Sequence, residues 1–171
     1  MRILQKEVYN FMKLGIIGGD LRIVNLVEIL TNQGHEVLTY GLEKADFKSK
    51  NIIKCEKLNE FLKDIQVFIS SIPFTQDGKT IVASFTNKDL NILEILDSMK
   101  EKLLIAGAFS NEVKVLAKEK NIQIIDLLEN EKLSILNSIP TAEGAIQIAM
   151  EKSNKTIHDS NCLILGFRKN R

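Results

Sequence analysis

Few residues in this chain of 171 combine type and spacing in a way that could support chemistry, and the first of them come early. Gly15-Ile16-Ile17-Gly18-Gly19-Asp20 closes a short apolar run with two glycines, and Arg22 follows almost at once. Glycines at a strand-to-helix turn let backbone amides approach a pyrophosphate, so the stretch invites a dinucleotide reading. The spacing does not fit it. Counting from Gly18, the second glycine position holds Asp20 and the third holds Ile23, and a carboxylate in the first helical turn repels phosphate. Two readings remain: a tight turn in which Asp20 caps the next helix, or a seat for a small organic acid held by Arg22 and the turn amides. A second run, Leu163-Ile164-Leu165-Gly166-Phe167-Arg168, starts like a dinucleotide fingerprint but has Arg168 where the next glycine belongs, and the sequence ends at Arg171. No nicotinamide cofactor is expected on this chain alone.

The side chains that titrate near neutrality are His35 and His158. His35 falls at a helix-to-strand turn on the amino side of the expected sheet and His158 in a linker, so neither is well placed for acid–base work. Cys55 and Cys162, with two histidines to help, supply no metal-ligand spacing and read as small apolar side chains in a reducing cytoplasm. Ser71, Ser110, Asn111, Asn137, Ser138 and Thr141 are more suggestive as a group. They are neutral donors and acceptors on several expected strand-end loops, where they could line a polar pocket or serve only as turn formers and caps.

Composition narrows the classes. With 44% apolar and 26% charged residues the chain is that of an ordinary globular protein with room for one well-buried domain. The balance of 23 basic against 22 acidic residues argues against a nucleic-acid surface. Residues 1–12 carry charges at Arg2, Lys6 and Glu7 and no long apolar core, so they read as an N-terminal extension, neither a signal peptide nor a membrane span.

The elements that must position these residues follow from periodicity. Strands are expected at 13–17, 34–41, 52–54, 65–70, 102–107 and 122–126, and helices at 21–32, 57–63, 87–99 and 111–120, with a long irregular loop over 74–86. A polar segment at 129–134 then leads to Asn137-Ser138-Ile139-Pro140-Thr141-Ala142-Glu143-Gly144, read as a polar turn. In it Pro140 takes a first-turn position, and Ser138 or Thr141 caps a helix whose small apolar face is Ala142, Ala145, Ile146, Ala149 and Met150. Another strand is expected at 161–166. Alternating strands and helices give an α/β fold of three layers around a mostly parallel sheet, flavodoxin-like or Rossmann-like. Ligands gather beyond the carboxyl ends of such strands, which singles out the loops at 18–22, 70–76, 107–111 and 137–143.

Gly18-Gly19-Asp20-x-Arg22, the Asn137-to-Gly144 stretch and Thr156-Ile157-His158 together resemble the dipicolinate synthase A-subunit family, over about residues 12–167. The resemblance implies a substrate-side domain at 13–140, an interdomain hinge helix and linker at 141–160, and the start of a nucleotide-binding domain at 161–171 that stops short. It implies oxidation of a dihydrodipicolinate-type product of the lysine pathway to dipicolinate in the cytoplasm of the sporulating mother cell. NAD or NADP would serve a full-length relative, and the flavoprotein-like B-subunit of dipicolinate synthase would be the partner. On this reading Gly18, Gly19, Asp20, Arg22, Ser71, Ser110, Asn111, Asn137, Ser138, Thr141 and Glu143 face the substrate, a dipicolinate-like dicarboxylate, and Arg22 grips a carboxylate with its two-pronged guanidinium. No catalytic residue transfers with it, and the short chain reads as a truncated or frameshifted product or an isolated domain. The competing expectation is a non-catalytic flavodoxin-like module that docks the partner subunit or forms a homodimer through the helix at 141–150.

Overall fold

The structure, a computed structural model, describes residues 11–164. The chain divides between Asp126 and Leu127 into two units. The first is built on six parallel strands, β1 (Lys13–Ile17), β2 (Glu36–Tyr40), β3 (Ile52–Lys54), β4 (Val67–Ile69), β5 (Leu103–Ala106) and β6 (Gln123–Asp126), in the order β3-β2-β1-β4-β5-β6. The direction of winding reverses between β1 and β4, as in a doubly wound sheet. The α/β reading holds, and the sheet is entirely parallel.

Two apolar clusters cover the two faces. On one side α1 (Leu21–Asn32) lays Ile23, Val24 and Val27 against Ile16 and Val37. On the other, α2 (Leu58–Phe61), α3 (Ile92–Asp97) and α4 (Asn111–Glu119) bury Phe61, Ile92, Leu96, Val113 and Ala117 with Phe68 and Leu104. Gly15 matters to this packing. A Cβ there would lie 2.5 Å from the Phe68 ring, so the bare backbone of the central strand is what admits Phe61 and Phe68 edge to face at 5.4 Å.

Several helices are shorter than the periodicity predicts. The helix expected at 87–99 begins only at Ile92, because the Asn91 side chain accepts from the amides of Leu93 (2.9 Å) and Glu94 (3.2 Å). The residues before it belong to the long loop, which is folded and not irregular. Asp77 accepts from the amides of Lys79 and Thr80 and from the Thr80 hydroxyl, and these donors hold its carboxyl far below the usual range. Gly78 supplies the left-handed residue of that turn.

The second unit holds a short 3₁₀ turn at Leu127–Glu129 and one helix, α5 (Glu131–Lys152). The polar turn expected at 137–144 is corrected here. The helix starts well before it, at Glu131, capped by Asn130 accepting from the Leu133 amide at 3.0 Å, and runs through Pro140. Ser138 and Thr141 are not caps: their hydroxyls donate to the carbonyls of Ile135 and Asn137 within the helix. The boundary expected after residue 140 therefore falls inside α5, and the polar segment at 129–134 supplies its first turn. Residues 161–164, expected as part of a strand, have no regular structure and are exposed at Leu163 and Ile164. The rest of that run, and residues 1–10 of the extension, lie outside the described residues. Among the described residues no helix is long and apolar enough to cross a membrane.

Proline in a helix interior removes one hydrogen bond and clashes with the preceding turn, at about 3 kcal/mol. No residue of α5 is buried, so its stability rests on local terms. Pro140→Ala is expected to raise the far-ultraviolet helical signal and to slow amide exchange around residues 136–140 by on the order of 100-fold.

Candidate functional site

The carboxyl ends of β1, β4, β5 and β6 bring the predicted loops of the first unit to one edge of the sheet. At the end of β1 the glycine turn is already occupied by protein. The Gly18 amide donates to the Tyr40 carbonyl at 2.8 Å and the Gly19 amide to the Val82 carbonyl at 2.6 Å, while the Ser84 amide donates to the Gly19 carbonyl. A Cβ on Gly18 would stand 2.7 Å from the Val82 oxygen, and one on Gly19 2.5 Å from the Ile23 side chain. The two glycines thus admit the backbone of the 82–84 segment and close packing of α1. A nicotinamide dinucleotide does not fit this turn, because the Gly19 amide is spoken for and Asp20 fills the first helical turn with negative charge.

Asp20 caps α1 by accepting from the Arg22 amide at 2.9 Å. Its carboxylate also takes the Nε and Nη2 edge of the Arg22 guanidinium, at 3.0 and 2.7 Å. The hydrogen bond from Arg22, working against partial burial, holds the Asp20 carboxyl below its ordinary value and keeps Arg22 charged. Nη2 donates further to the Ile72 carbonyl at 2.6 Å, so Arg22 ties the β1–α1 turn to the loop after β4. The Nε and Nη2 donors are engaged in this way. The two-pronged edge expected to grip a substrate carboxylate closes on Asp20 instead, and among the described residues the Nη1 end has no acceptor.

The other strand ends are similarly self-satisfied. Ser71 is buried and donates to the Pro73 carbonyl at 2.9 Å, inside its own turn. Ser70, which sequence reasoning did not include in the site, is buried and donates to the Ile17 carbonyl at 2.8 Å, lacing β4 to β1 at the point where the winding reverses. Ser110 caps α4 by accepting from the Val113 amide, and Asn111 opens that helix on the surface. Asp126 was also missed. Its side chain is only 6% exposed, accepts from the amides of Ala108 (3.1 Å) and Phe109 (3.3 Å) and pairs with Lys114 at 3.3 Å. Ala108 sits at φ 57°, so the two amides converge into a small anion-binding concavity that the protein fills itself. A carboxylate ending the apolar run Ile124-Ile125-Asp126 was the available signal.

Asn137, Ser138, Thr141 and Glu143 belong to the second unit. They lie exposed along α5 and not on a strand-end loop. His35 accepts from the Met12 amide at the opposite end of the sheet, and His158 is exposed beside Asp159. Burial raises the Cys55 thiol above its ordinary value. Among the described residues no group of three or more His, Cys, Asp or Glu could hold a metal. The first unit also carries a groove of about 750 Å³ between α3 and α4, floored by Ile92, Val113 and Leu116 and rimmed by Asn91 and Asn111.

Comparison with known proteins adds a family to this geometry. A family described as the N-terminal domain of the dipicolinate synthase A-subunit matches residues 13–128. The dipicolinate synthase A-subunit of Bacillus subtilis (strain 168) is 27% identical over 158 residues, which are 91% of this chain and 53% of that one. The crystal structure of dipicolinate synthase, A chain, from Bacillus subtilis superposes with a TM-score of 0.73 at 24% identity, over 87% of this chain and 51% of that chain. The crystal structure of the dipicolinate synthase A-subunit from Bacillus halodurans gives 0.74 at 23%, over 85% and 50%. These structural likenesses show the fold, and this chain spans about half the length of the relatives it matches.

The Asp20–Arg22 pair has a pH signature. The folded-state pKa of Asp20 lies below its unfolded value, so its stabilisation is present above about pH 4 and is lost as pH falls through the folded value. Asn at this position keeps a capping oxygen and removes the charge. Asp20→Asn is expected to lower stability at pH 7 by at most about 1 kcal/mol, given the exposure of Arg22. Urea midpoints for the two proteins should converge as the pH falls through the lowered folded-state value of Asp20.

Proposed function

The chain belongs to the family of dipicolinate synthase A-subunit N-terminal domains, and from that premise we propose that it is the substrate-side domain of a dipicolinate synthase A-type subunit. In that role it works with a second subunit to oxidise a dihydrodipicolinate-type intermediate to dipicolinate during sporulation. Aromatising the ring would remove a hydride and a proton; a nicotinamide cofactor, where one is bound, would take the hydride and solvent the proton, and the β1–α1 turn, whose amides the protein's own backbone uses, would not be its seat. The observation that carries the proposal is the position of Arg22. It bridges the ends of β1 and β4, where an open parallel sheet gathers its ligand, with the Nη1 end still available to a carboxylate. Ser110 and Asn111 stand at the end of the neighbouring strand, and Gly18, Gly19 and Ser71 shape the turns that hold Arg22 in place.

A second reading, a non-catalytic module that docks a partner subunit, is favoured by the groove between α3 and α4. Its apolar lining includes Leu93 and Val115, both more than half exposed, and suits a partner surface better than a small dianion.

Titration of the chain with pyridine-2,6-dicarboxylate, followed by amide NMR, separates the two. The substrate-side reading expects shifts at Arg22, Ile72 and Ala108–Ser110, and Arg22→Ala is expected to weaken binding on the order of 10-fold or more, the loss of one charge-assisted hydrogen bond. Absence of binding, or shifts confined to the α3–α4 groove, would sink it.

A further inference from the structure

We propose that Asp20 makes the Arg22 site selective for carboxylates over phosphate groups. The inference rests on the substrate-side reading of this chain and gives Asp20 a part in it. A guanidinium carries about five N–H donors, and parallel pairs of them grip a carboxylate or a phosphate with two bonds at once. In Arg22 most of these donors are committed within the protein. Nε and one hydrogen of Nη2 go to the Asp20 carboxylate, at 3.0 and 2.7 Å, and the other hydrogen of Nη2 goes to the Ile72 carbonyl at 2.6 Å. The donors left for a ligand sit on Nη1. They diverge from one nitrogen, so each can give a single bond but together they do not make the parallel pair.

The charge of Asp20 then decides between anions. The hydrogen bond from Arg22 holds its carboxyl below the ordinary value, so it is ionised at neutral pH. A phosphate monoester brings close to two charges on a single group up to that carboxylate, whereas a pyridine dicarboxylate presents one carboxylate there and carries the other across the ring. The repulsion therefore falls mainly on the phosphate. Other donors that could offset it are engaged. The glycine turn, of a kind that elsewhere cradles phosphate, has its Gly18 and Gly19 amides on the Tyr40 and Val82 carbonyls. On the segments after β2 and before α3, Lys44 is bound to Asn87, and the Lys88 ammonium to Glu43 and to the Glu56 carbonyl. Arg22 is left to read one carboxylate through Nη1, and Asp20 is the residue that restricts it to that.

Amide NMR titrations with pyridine-2-carboxylate and with inorganic phosphate test this at about pH 8, where phosphate is close to a dianion and the pyridine acid a monoanion. Asp20→Asn keeps an oxygen to cap α1 and removes the charge, and Asp20→Ser, which also caps, is the second variant. The unsubstituted chain is expected to favour the carboxylate, with shifts at Arg22 and Ile72. In both variants the ratio of phosphate to carboxylate affinity is expected to rise roughly 5-fold or more, and the phosphate shifts to vanish when Arg22→Ala is added. The ratio is the readout because a loosened guanidinium weakens both ligands alike, while relief of the charge favours the dianion. Equal affinity for the two anions in the unsubstituted chain overturns the proposal and leaves carboxylate binding standing. So does a ratio unchanged in both variants, or phosphate shifts that survive Arg22→Ala. Absence of any carboxylate shift in the unsubstituted chain overturns the proposal together with the substrate-side reading.

Discussion

The Gly19 amide points at the Val82 carbonyl, 2.6 Å away, and much of the carboxyl edge of the sheet depends on that one bond. It lets the 82–84 segment run alongside the β1–α1 turn, in a parallel bridge between Gly19 and Ala83. That contact requires two residues without side chains, both at positive φ, where the sequence has Gly18 and Gly19. The long loop between β4 and α3 is thereby anchored, with Phe74 and Ile81 buried beneath it. A turn shape elsewhere suited to phosphate is here used up in holding the protein's own backbone.

The same self-sufficiency runs along the edge. Asp20 satisfies the first turn of α1 and the Arg22 guanidinium; Asp126 satisfies two amides after β5; Ser70 and Ser71 satisfy carbonyls beside them. Each of these groups would be costly to leave unpaired on a partly buried edge, and none has to be exposed for a ligand to approach. The result is a platform whose polar groups are fixed before any ligand arrives, which favours orientation over affinity. Because Asp20 offsets much of the charge of Arg22, what this turn offers a carboxylate is the directed hydrogen bond that Nη1 can donate more than a net positive field.

How much of this could be read from the residues varies with the range of the interaction that decides it. The strands were legible because Ile16-Ile17, Val37-Leu38 and Leu103-Leu104 are apolar runs bounded by turn residues, and Asp20 and Ser110 were legible as caps because a cap acts within three residues. The start of α3 was placed too early, at Asn87, because Asn87 and Asn91 are equally good caps locally. The choice is made by the pairing of Leu90 with Ile81 and of Ile92 with Lys79, which are contacts across the loop. Asp126 and Ser70 escaped notice for a related reason. Their partners, Ala108, Phe109 and Ile17, are 17 to 53 residues away, so the local pattern marks both as strand-end residues without showing what their side chains meet.

Pro140 shows the limit most clearly. Proline fits the first turn of a helix, where its missing amide costs nothing, and it fits a helix interior at a cost of about 3 kcal/mol, so local propensity favours starting the helix there. The helix nevertheless begins at Glu131, with Ser138 and Thr141 turning their hydroxyls to carbonyls near the break. Continuing through a proline gives up a backbone hydrogen bond and keeps Ile135 and Ile139 in phase with Ile146 and Met150. A helix started at Pro140 would present only the later half of that stripe. With no residue of α5 buried among the described ones, the phase has no use within the helix itself.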